Sequence, residues 1–355
     1  MISTAQLTRI FRRQARESGA VEDLRDGEIL LKILGLVEPD DDLSGYVDAV
    51  ASDVAGAYDT KTEKLYVIRD AIPDDQAVVE VTIAHELTHA LEDQVFELKE
   101  ADALSGDRAL AYSALTEGSA TAVMIQFAAE RNLLGQLLLS DPGTSDIEDV
   151  PPVLQAQLVF PYLAGQEFVQ ALRRAGGDWD LVGVAEREDP PASTEQVLHP
   201  QRYLEGDDPV QVSVDPAPIL GGGWRFLDGA DVGEFDLRQI ITVGAGLDET
   251  DGLGWGGGRY SLWARRGAAE DCVNTCRAEH ALVLALRFDN RGEASAFSGI
   301  ANAYLDELGG KPQINPGGGS AEIPEGAAAY GVRGDEVTLA FAPTLPLARR
   351  LAADS

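Results

Sequence analysis

Hydrophobic residues recur with helical spacing through the first part of the chain. The segment 4–37 predicts two helices, the second over 23–37 with a continuous apolar side. Farther on, the same spacing predicts three longer helices, over 73–98, 107–132 and 152–174. Between these two groups, 54–69 has the alternation and the turn residues of a β-hairpin.

The pattern changes near residue 210, where short apolar runs and glycine-rich turns replace the long helical repeats. Strands are predicted over 281–288 and 337–341, and a helix over 292–308. The segment 186–209 is polar and contains prolines, which indicates an ordered functional loop or a linker. We therefore expect an α+β chain of two domains: a mostly helical domain with a small hairpin, then a smaller α+β domain, over 1–209 and 210–355.

The chain is strongly acidic, with 60 Asp and Glu residues against 28 Lys and Arg and a net charge of −32. A charge of this sign repels phosphate backbones, so we expect no nucleic-acid partner. No run of about 18 apolar residues occurs, so we expect no membrane span. The first residues are charged early and lack an apolar core segment, so we expect no signal peptide in this sequence.

The chain has two cysteines, Cys272 and Cys276. One such pair does not complete a four-ligand zinc site, so we expect either two free thiols or one local disulfide. An exported protein would favour the disulfide.

The segment 83–91 carries the clearest chemical signal, because it holds two of the four histidines of the chain. It reads Ile-Ala-His-Glu-Leu-Thr-His-Ala-Leu, inside a run that is apolar on almost every side of a helix. On a helix His85 and His89 lie one turn apart on one face, so both imidazoles can bind one Zn²⁺. Glu86 is turned about 100° from His85, which places its carboxylate beside the water that zinc activates. The spacing therefore predicts a catalytic zinc site with Glu86 as the general base.

A catalytic zinc site needs a third protein ligand, and Glu117 is our candidate. Its helical neighbours at i−3, i+3 and i+7 are apolar, so the carboxylate should be buried and should need a charge partner. Gly118 and the nearby alanines are expected to let this helix approach the motif helix closely. Glu92 and Asp93 are the alternatives for the third ligand. Their place one turn beyond His89 favours an orienting or a solvent-facing role instead.

The polar, proline-containing segment that precedes the second domain supplies candidates for an oxyanion donor. Peptide hydrolysis needs such a donor, commonly a His or a Tyr, and His199 and Tyr203 are our candidates. Arg202 in the same segment is expected to pair with a carboxylate, and Glu195 is the obvious one. Tyr162 is a further candidate donor, although we favour a packed aromatic there.

These residues resemble those of the gluzincins, zinc peptidases with a His-Glu-x-x-His motif and a third ligand Glu on a following helix. The resemblance covers roughly residues 54–135 and implies a zincin-like fold, a zinc cofactor and a peptide or protein substrate. It also implies that the strand edge at 65–69 binds the substrate backbone. Thr121, four positions after Glu117, stands where thermolysin-like enzymes have an Asp that orients a ligand histidine. The groups that orient the histidines must therefore differ here.

A wider resemblance is to a poorly characterised group of bacterial metallopeptidase-like proteins. It rests on segments that include Gly-Ala-Tyr-Asp, Glu-Gly-Ser-Ala, Ser-Thr-Glu-Gln-Val-Leu-His-Pro and Gly-Trp-Gly-Gly-Gly-Arg-Tyr. Members of this group look like exported proteins. The resemblance thus implies an extracytoplasmic or secreted location, with residue 1 here as a trimmed start.

These observations together predict a zinc-dependent metallopeptidase. The two motif histidines and Glu117 would hold the metal, Glu86 would act as general base and then proton donor, and His199 or Tyr203 would stabilise the oxyanion. The second domain is expected to shape one wall of the cleft or to bind a partner. The alternative is a non-catalytic zinc-binding envelope or interaction protein whose peptidase domain is vestigial.

Overall fold

The fold is known from a computed structural model. It describes residues 1–18, 20–46, 55–68, 76–98, 104, 106–137, 150–248, 253–269, 272 and 275–354. The chain forms two compact units, one comprising Met1–Val21 and Ser44–Asp208, the other Glu22–Leu43 and Pro209–Ser355. The architecture is α+β, as the sequence predicts.

The first unit is mostly helical and contains one two-stranded hairpin. With α2, which continues into the second unit, its elements are α1 (Thr4–Ser18), α2 (Ala20–Leu34), β1 (Gly56–Asp59), β2 (Lys64–Val67), α3 (Gln76–Phe96), α4 (Asp107–Glu130), α5 (Leu134–Leu137), α6 (Pro152–Gly176), α7 (Asp180–Arg187), α8 (Thr194–Leu198) and α9 (Pro200–Glu205).

The three long helices agree with the prediction from the hydrophobic spacing. α6 has a proline in its first turn and ends at Gly177, whose φ of 74° is the left-handed conformation that favours glycine. The hairpin is confirmed too, with Gly56 opposite Val67 and Asp59 opposite Lys64. The expected start of α3 at Pro73 lies outside the described residues.

Gly118 packs against α6 and not, as the sequence suggested, against the motif helix. A Cβ atom on Gly118 would lie 2.2 Å from the carbonyl carbon of Gly165, and one on Gly165 would lie 2.0 Å from the oxygen of Ala114. These two glycines therefore let α4 and α6 approach each other, backbone against backbone. The expectation that Gly118 brings α4 against the motif helix was wrong. The spacing of small residues along one helix does not say which neighbouring helix they face.

The polar segment 186–209 is ordered and largely helical. Ser193 caps α8 by accepting a hydrogen bond from the Gln196 backbone N–H, at 3.3 Å. The first residue of α8, Thr194, donates its backbone N–H to both carboxylate oxygens of Asp107, at 3.1 Å each. The predicted ion pair between Arg202 and Glu195 is present at 3.4 Å. Residues 186–208 of this segment are therefore a folded part of the first unit.

The second unit is built on one antiparallel sheet. Its further elements are α10 (Ala217–Leu220), β3 (Trp224–Asp228), α11 (Glu234–Gln239), β4 (Trp255–Arg265), α12 (Cys276–Glu279), β5 (His280–Phe288), α13 (Arg291–Glu307), β6 (Gln313–Asn315), β7 (Gly318–Ile323), β8 (Gly326–Arg333), β9 (Glu336–Ala342) and α14 (Leu345–Asp354). The strand order is β3-β4-β5-β9-β8-β7-β6.

The two long helices of this unit cover opposite faces of the sheet. Side chains alternate between the faces of a strand, so Ala340 and Phe341 point in opposite directions. Ala340 belongs to the alanine-rich cluster that packs on α14, whereas the Phe341 ring meets Tyr304 of α13 at 6.2 Å between centroids. Both faces of the central strands β5 and β9 are buried, and for this reason these two strands read as continuous apolar runs.

The segment Glu22–Leu43 belongs to the second unit, although the sequence placed it in a first domain of 1–209. Two side-chain hydrogen bonds join the end of α2 to this unit. Arg277 donates its Nε–H to the carbonyl of Ile33 at 2.9 Å, and the Tyr304 hydroxyl donates to the carbonyl of Leu34. Such bonds join residues far apart in the chain and leave no periodic signal.

Cys272 and Cys276 form a disulfide, one of the two states expected from the sequence. Both residues are buried, and Cys276 begins α12. Among the described residues, no helix is both long and apolar enough to cross a bilayer.

Candidate metal centre

Helices α3 and α4 bring His85, His89 and Glu117 together. Each offers one ligand atom, and these atoms all lie within 4.8 Å of one another. The motif helix packs against α4, and the side chains of His85 and His89 are only 11% and 13% exposed. This cluster could hold a metal ion.

The distances within the cluster fit a tetrahedral ion of the size of zinc. His85 Nε2 lies 3.1 Å from Glu117 Oε2 and 3.1 Å from His89 Nε2, and His89 Nε2 lies 3.4 Å from Glu117 Oε2. Tetrahedral zinc with ligand bonds of about 2.0–2.1 Å keeps its ligand atoms about 3.3–3.4 Å apart. Two imidazole nitrogens and one carboxylate oxygen are therefore spaced closely enough to share one such ion.

Interactions within the cluster stabilise the charged forms of Glu117 and His89. Burial alone would raise the pKa of Glu117, but hydrogen bonds from His85 and His89 outweigh it and lower this pKa to about 2. Burial likewise disfavours the charged form of His89, yet bonds to Glu117 and Glu92 raise its pKa to about 10. Glu117 is thus an anion, which is the state that a carboxylate ligand needs, whereas His89 would have to release a proton for its Nε2 to bind a metal.

Glu86 lies beside the cluster and outside its triangle of ligand atoms. Its side chain is 5% exposed, and burial raises its pKa while the nearby His85 and His89 oppose that rise. Gly56 of β1 lies directly against it, since a Cβ atom there would be 2.7 Å from Glu86 Cγ. The backbone N–H of Tyr58 also hydrogen-bonds to the Glu86 carboxylate.

Strand β1, and not the segment 65–69, has its main chain against Glu86. Ala55 accepts a bond from the Ile68 N–H at 3.0 Å, so by alternation the main-chain groups of Gly56 and Tyr58 point away from β2. On β2, the outward carbonyl of Val67 is taken by the Ile2 N–H at 3.0 Å. The main chain of β1, rather than that of the expected edge at 65–69, therefore lies beside Glu86. Arg69, the last residue of the expected edge, lies outside the described residues.

Three aromatic side chains are candidates for donating a hydrogen bond to the oxyanion, and their environments differ. His199 is half-buried at the junction of α8 and α9. The Tyr203 hydroxyl donates to the carbonyl of Asp189 at 2.7 Å. The Tyr162 ring instead stacks near His85, at 6.2 Å between centroids and 29° between planes, and it is 43% exposed. Tyr162, for which packing was favoured, is thus the tyrosine that adjoins the cluster.

A second group of buried polar side chains lies behind His89. Glu92 Oε2 is 3.7 Å from His89 Nδ1, and Glu92 Oε1 accepts a hydrogen bond from the Ser119 hydroxyl. Glu186 of α7 also hydrogen-bonds to Glu92 and Ser119, and burial together with the charge of Glu92 raises the pKa of Glu186 to about 8. Sequence reasoning missed Glu186. Its signal was a carboxylate on the face that α7 buries with Val182 and Ala185.

Comparison with known proteins adds little about this centre. A family model described as "Domain of unknown function (DUF8575)" matches residues 225–352, all in the second unit. No curated protein and no solved structure matches the chain. The functional argument therefore depends on the residues of the first unit themselves.

Proposed function

We propose that this protein is a zinc-dependent peptidase of the gluzincin type, with zinc held by His85, His89 and Glu117. The observation that carries the proposal is the triangle of ligand atoms together with Glu86 at its side. Two imidazoles and one carboxylate suit zinc better than Ca²⁺ or Mg²⁺, which prefer all-oxygen sites. Three protein ligands also leave one position open, as a catalytic site requires.

Glu86 is the proton carrier in this proposal. When bound, zinc supplies a Lewis acid that lowers the pKa of water toward about 7. Glu86 accepts the proton of the attacking water and then delivers it to the leaving amine. Its burial supports this role, because a carboxylate whose pKa is raised both accepts and returns a proton more readily near neutral pH.

In this proposal β1 and Tyr162 bind the substrate. The outward main-chain groups of Gly56 and Tyr58 lie beside Glu86, where an extended peptide could add as a further strand. We assign the oxyanion contact to the Tyr162 hydroxyl, because the Tyr162 ring lies beside His85. The role of His199 stays a prediction. The extracytoplasmic location that the resemblance implies is likewise part of the proposal.

The proposal is tested by incubating the full chain with a peptide library and identifying products by mass spectrometry. We expect cleavage that a chelator abolishes and that added zinc restores. A protein that binds zinc stoichiometrically but cleaves no peptide would contradict the proposal and support the non-catalytic zinc-binding alternative.

Gly56→Ala is expected to lower kcat/KM by about 10²-fold, because a methyl group there forces the Glu86 carboxylate to shift. Zinc content should not change, since Gly56 is not part of the ligand triangle. Steady-state kinetics checks this, with Gly45→Ala as the control, because a Cβ atom on Gly45 would have no neighbour within 4 Å in the described part of the chain. Equal kinetics in the two variants would mean that β1 does not position Glu86.

A further inference from the structure

The outer edge of β1 is the part of the hairpin that lies beside Glu86. Among the described residues, β1 pairs with β2 alone, and a two-stranded hairpin is marginally stable by itself. On the far side of β2, the Ile2 N–H donates to the carbonyl of Val67 at 3.0 Å. The position of β1 next to Glu86 therefore depends on what its side chains contact.

Two residues of β1 meet the motif helix α3 from the same side of the strand. Gly56 and Tyr58 are two positions apart, so their side-chain directions share one face of the hairpin. A Cβ atom on Gly56 would lie 2.7 Å from Glu86 Cγ. The Tyr58 hydroxyl donates a hydrogen bond to Asp93 Oδ2 at 2.9 Å. The strand thus touches the helix at two separate places.

The two contacts follow one side of α3. Glu86 and Asp93 are seven residues apart, which is about two helical turns, so they lie on the same face about 10 Å apart. The two β1 residues span about 7 Å along the strand. A strand held at one place can pivot about it, whereas a second contact fixes its direction. The second contact here is a hydrogen bond to a carboxylate, which is stronger than one between neutral groups.

Asp93 belongs to the hairpin contact and not to the candidate metal centre. The sequence left Asp93 open as a third ligand. Among the described residues, the group that could hold an ion consists of His85, His89 and Glu117, and Asp93 is not part of it. Its half-buried carboxylate accepts the bond from Tyr58 instead.

We propose that Asp93 is a positioning residue, which holds the edge of β1 beside Glu86 through the Tyr58 hydroxyl. This inference rests on the proposed function, in which an extended peptide adds to that edge. Without the bond the strand is free to pivot and a peptide binds more weakly, while the metal ligands and Glu86 keep their places on the helices. The effect therefore belongs to KM rather than to kcat.

The test is steady-state kinetics of the full chain on a peptide that the wild type cleaves, together with amide hydrogen exchange of β1. Tyr58→Phe removes the hydroxyl and keeps the ring, so KM should rise about 10-fold with kcat near wild type, and β1 should exchange faster. Asp93→Ala should have the same effect, whereas Asp93→Asn keeps an oxygen that accepts the bond and should stay near wild type. Because the two residues share one bond, combining Tyr58→Phe with Asp93→Ala should add little further loss.

Tyr46→Phe is the matched control, because Tyr46 is half-buried in the same unit and its hydroxyl bonds to none of the described residues. It should keep the wild-type KM and the wild-type exchange of β1. All variants should keep the wild-type zinc content by elemental mass spectrometry.

Three results would overturn the inference: a wild-type KM in Tyr58→Phe, additive losses from Tyr58→Phe and Asp93→Ala, or loss of zinc in Asp93→Ala, which would place Asp93 at the metal. If Asp93→Ala does not fold, the milder Tyr58→Phe and Asp93→Asn still decide the case. A wild type that cleaves no peptide would instead contradict the proposed function. Amide exchange would then decide alone whether the bond holds β1, and unchanged exchange in Tyr58→Phe would show that it does not.

Discussion

Glu86→Gln is expected to bind zinc like the wild type and to lose peptide hydrolysis by about 10²- to 10⁴-fold in kcat. Glutamine keeps the size of the side chain and can still meet the Tyr58 N–H, so the hairpin and the ligand triangle should hold their places. What it cannot do is accept a proton from water. The loss should therefore appear in kcat, with KM nearly unchanged.

The matched control is Glu80→Gln on the same helix, where the carboxylate pairs with Gln76 near the surface at 2.7 Å. It should retain wild-type kinetics, and both variants should show wild-type zinc content by elemental mass spectrometry. Full activity in Glu86→Gln would contradict the assignment of the general base. A loss of both activity and zinc would show that Glu86 acts on the metal ligands instead.

Gly165→Ala is expected to destabilise the first unit by about 3 kcal/mol or more. The added methyl group would lie 2.0 Å from the Ala114 carbonyl oxygen, and no side-chain rotation relieves a clash with backbone. Either α4 and α6 separate or the unit does not fold. Since α4 carries Glu117 and α6 carries Tyr162, zinc affinity should fall together with stability.

Thermal unfolding monitored by circular dichroism checks this prediction. Gly135→Ala is the control in the same unit, because a Cβ atom there would meet none of the described residues within 4 Å. It should leave the unfolding temperature unchanged or raise it slightly, since alanine is the better helix former. An unfolding temperature for Gly165→Ala equal to that of the control would contradict the close approach of α4 and α6.

The long helices and the clustering of His85, His89 and Glu117 were predictable because both depend on the spacing of residues along single helices. The apolar period and Pro152 placed α6 within a few residues, and the separation of four placed His85 and His89 on one face. Glu117 was predictable because a carboxylate on a face of small residues needs a partner. Each of these inferences uses only the positions of residues within a single helix.

The features that were not predicted depend on which helices pack against each other. Local sequence patterns do not carry that information. Gly118 was identified as a close-packing residue, but its partner was Gly165 and not the motif helix. Glu186 joins Glu92 from a helix about ninety positions farther along the chain, with no motif to link them. The sequence favoured Tyr162 as an ordinary packed aromatic, whereas in the structure its ring lies beside His85.

The most direct test of the central claim is the zinc content of the purified protein, measured by elemental mass spectrometry on wild type and Glu117→Ala. The account predicts about one zinc per wild-type chain and weakened binding in the variant, because Glu117 Oε2 closes the ligand triangle. Glu130→Ala, on the exposed side of the same helix, should keep the wild-type value. No zinc in the wild type under any loading condition would leave His85, His89 and Glu117 as a structural ion-pair cluster and contradict the account.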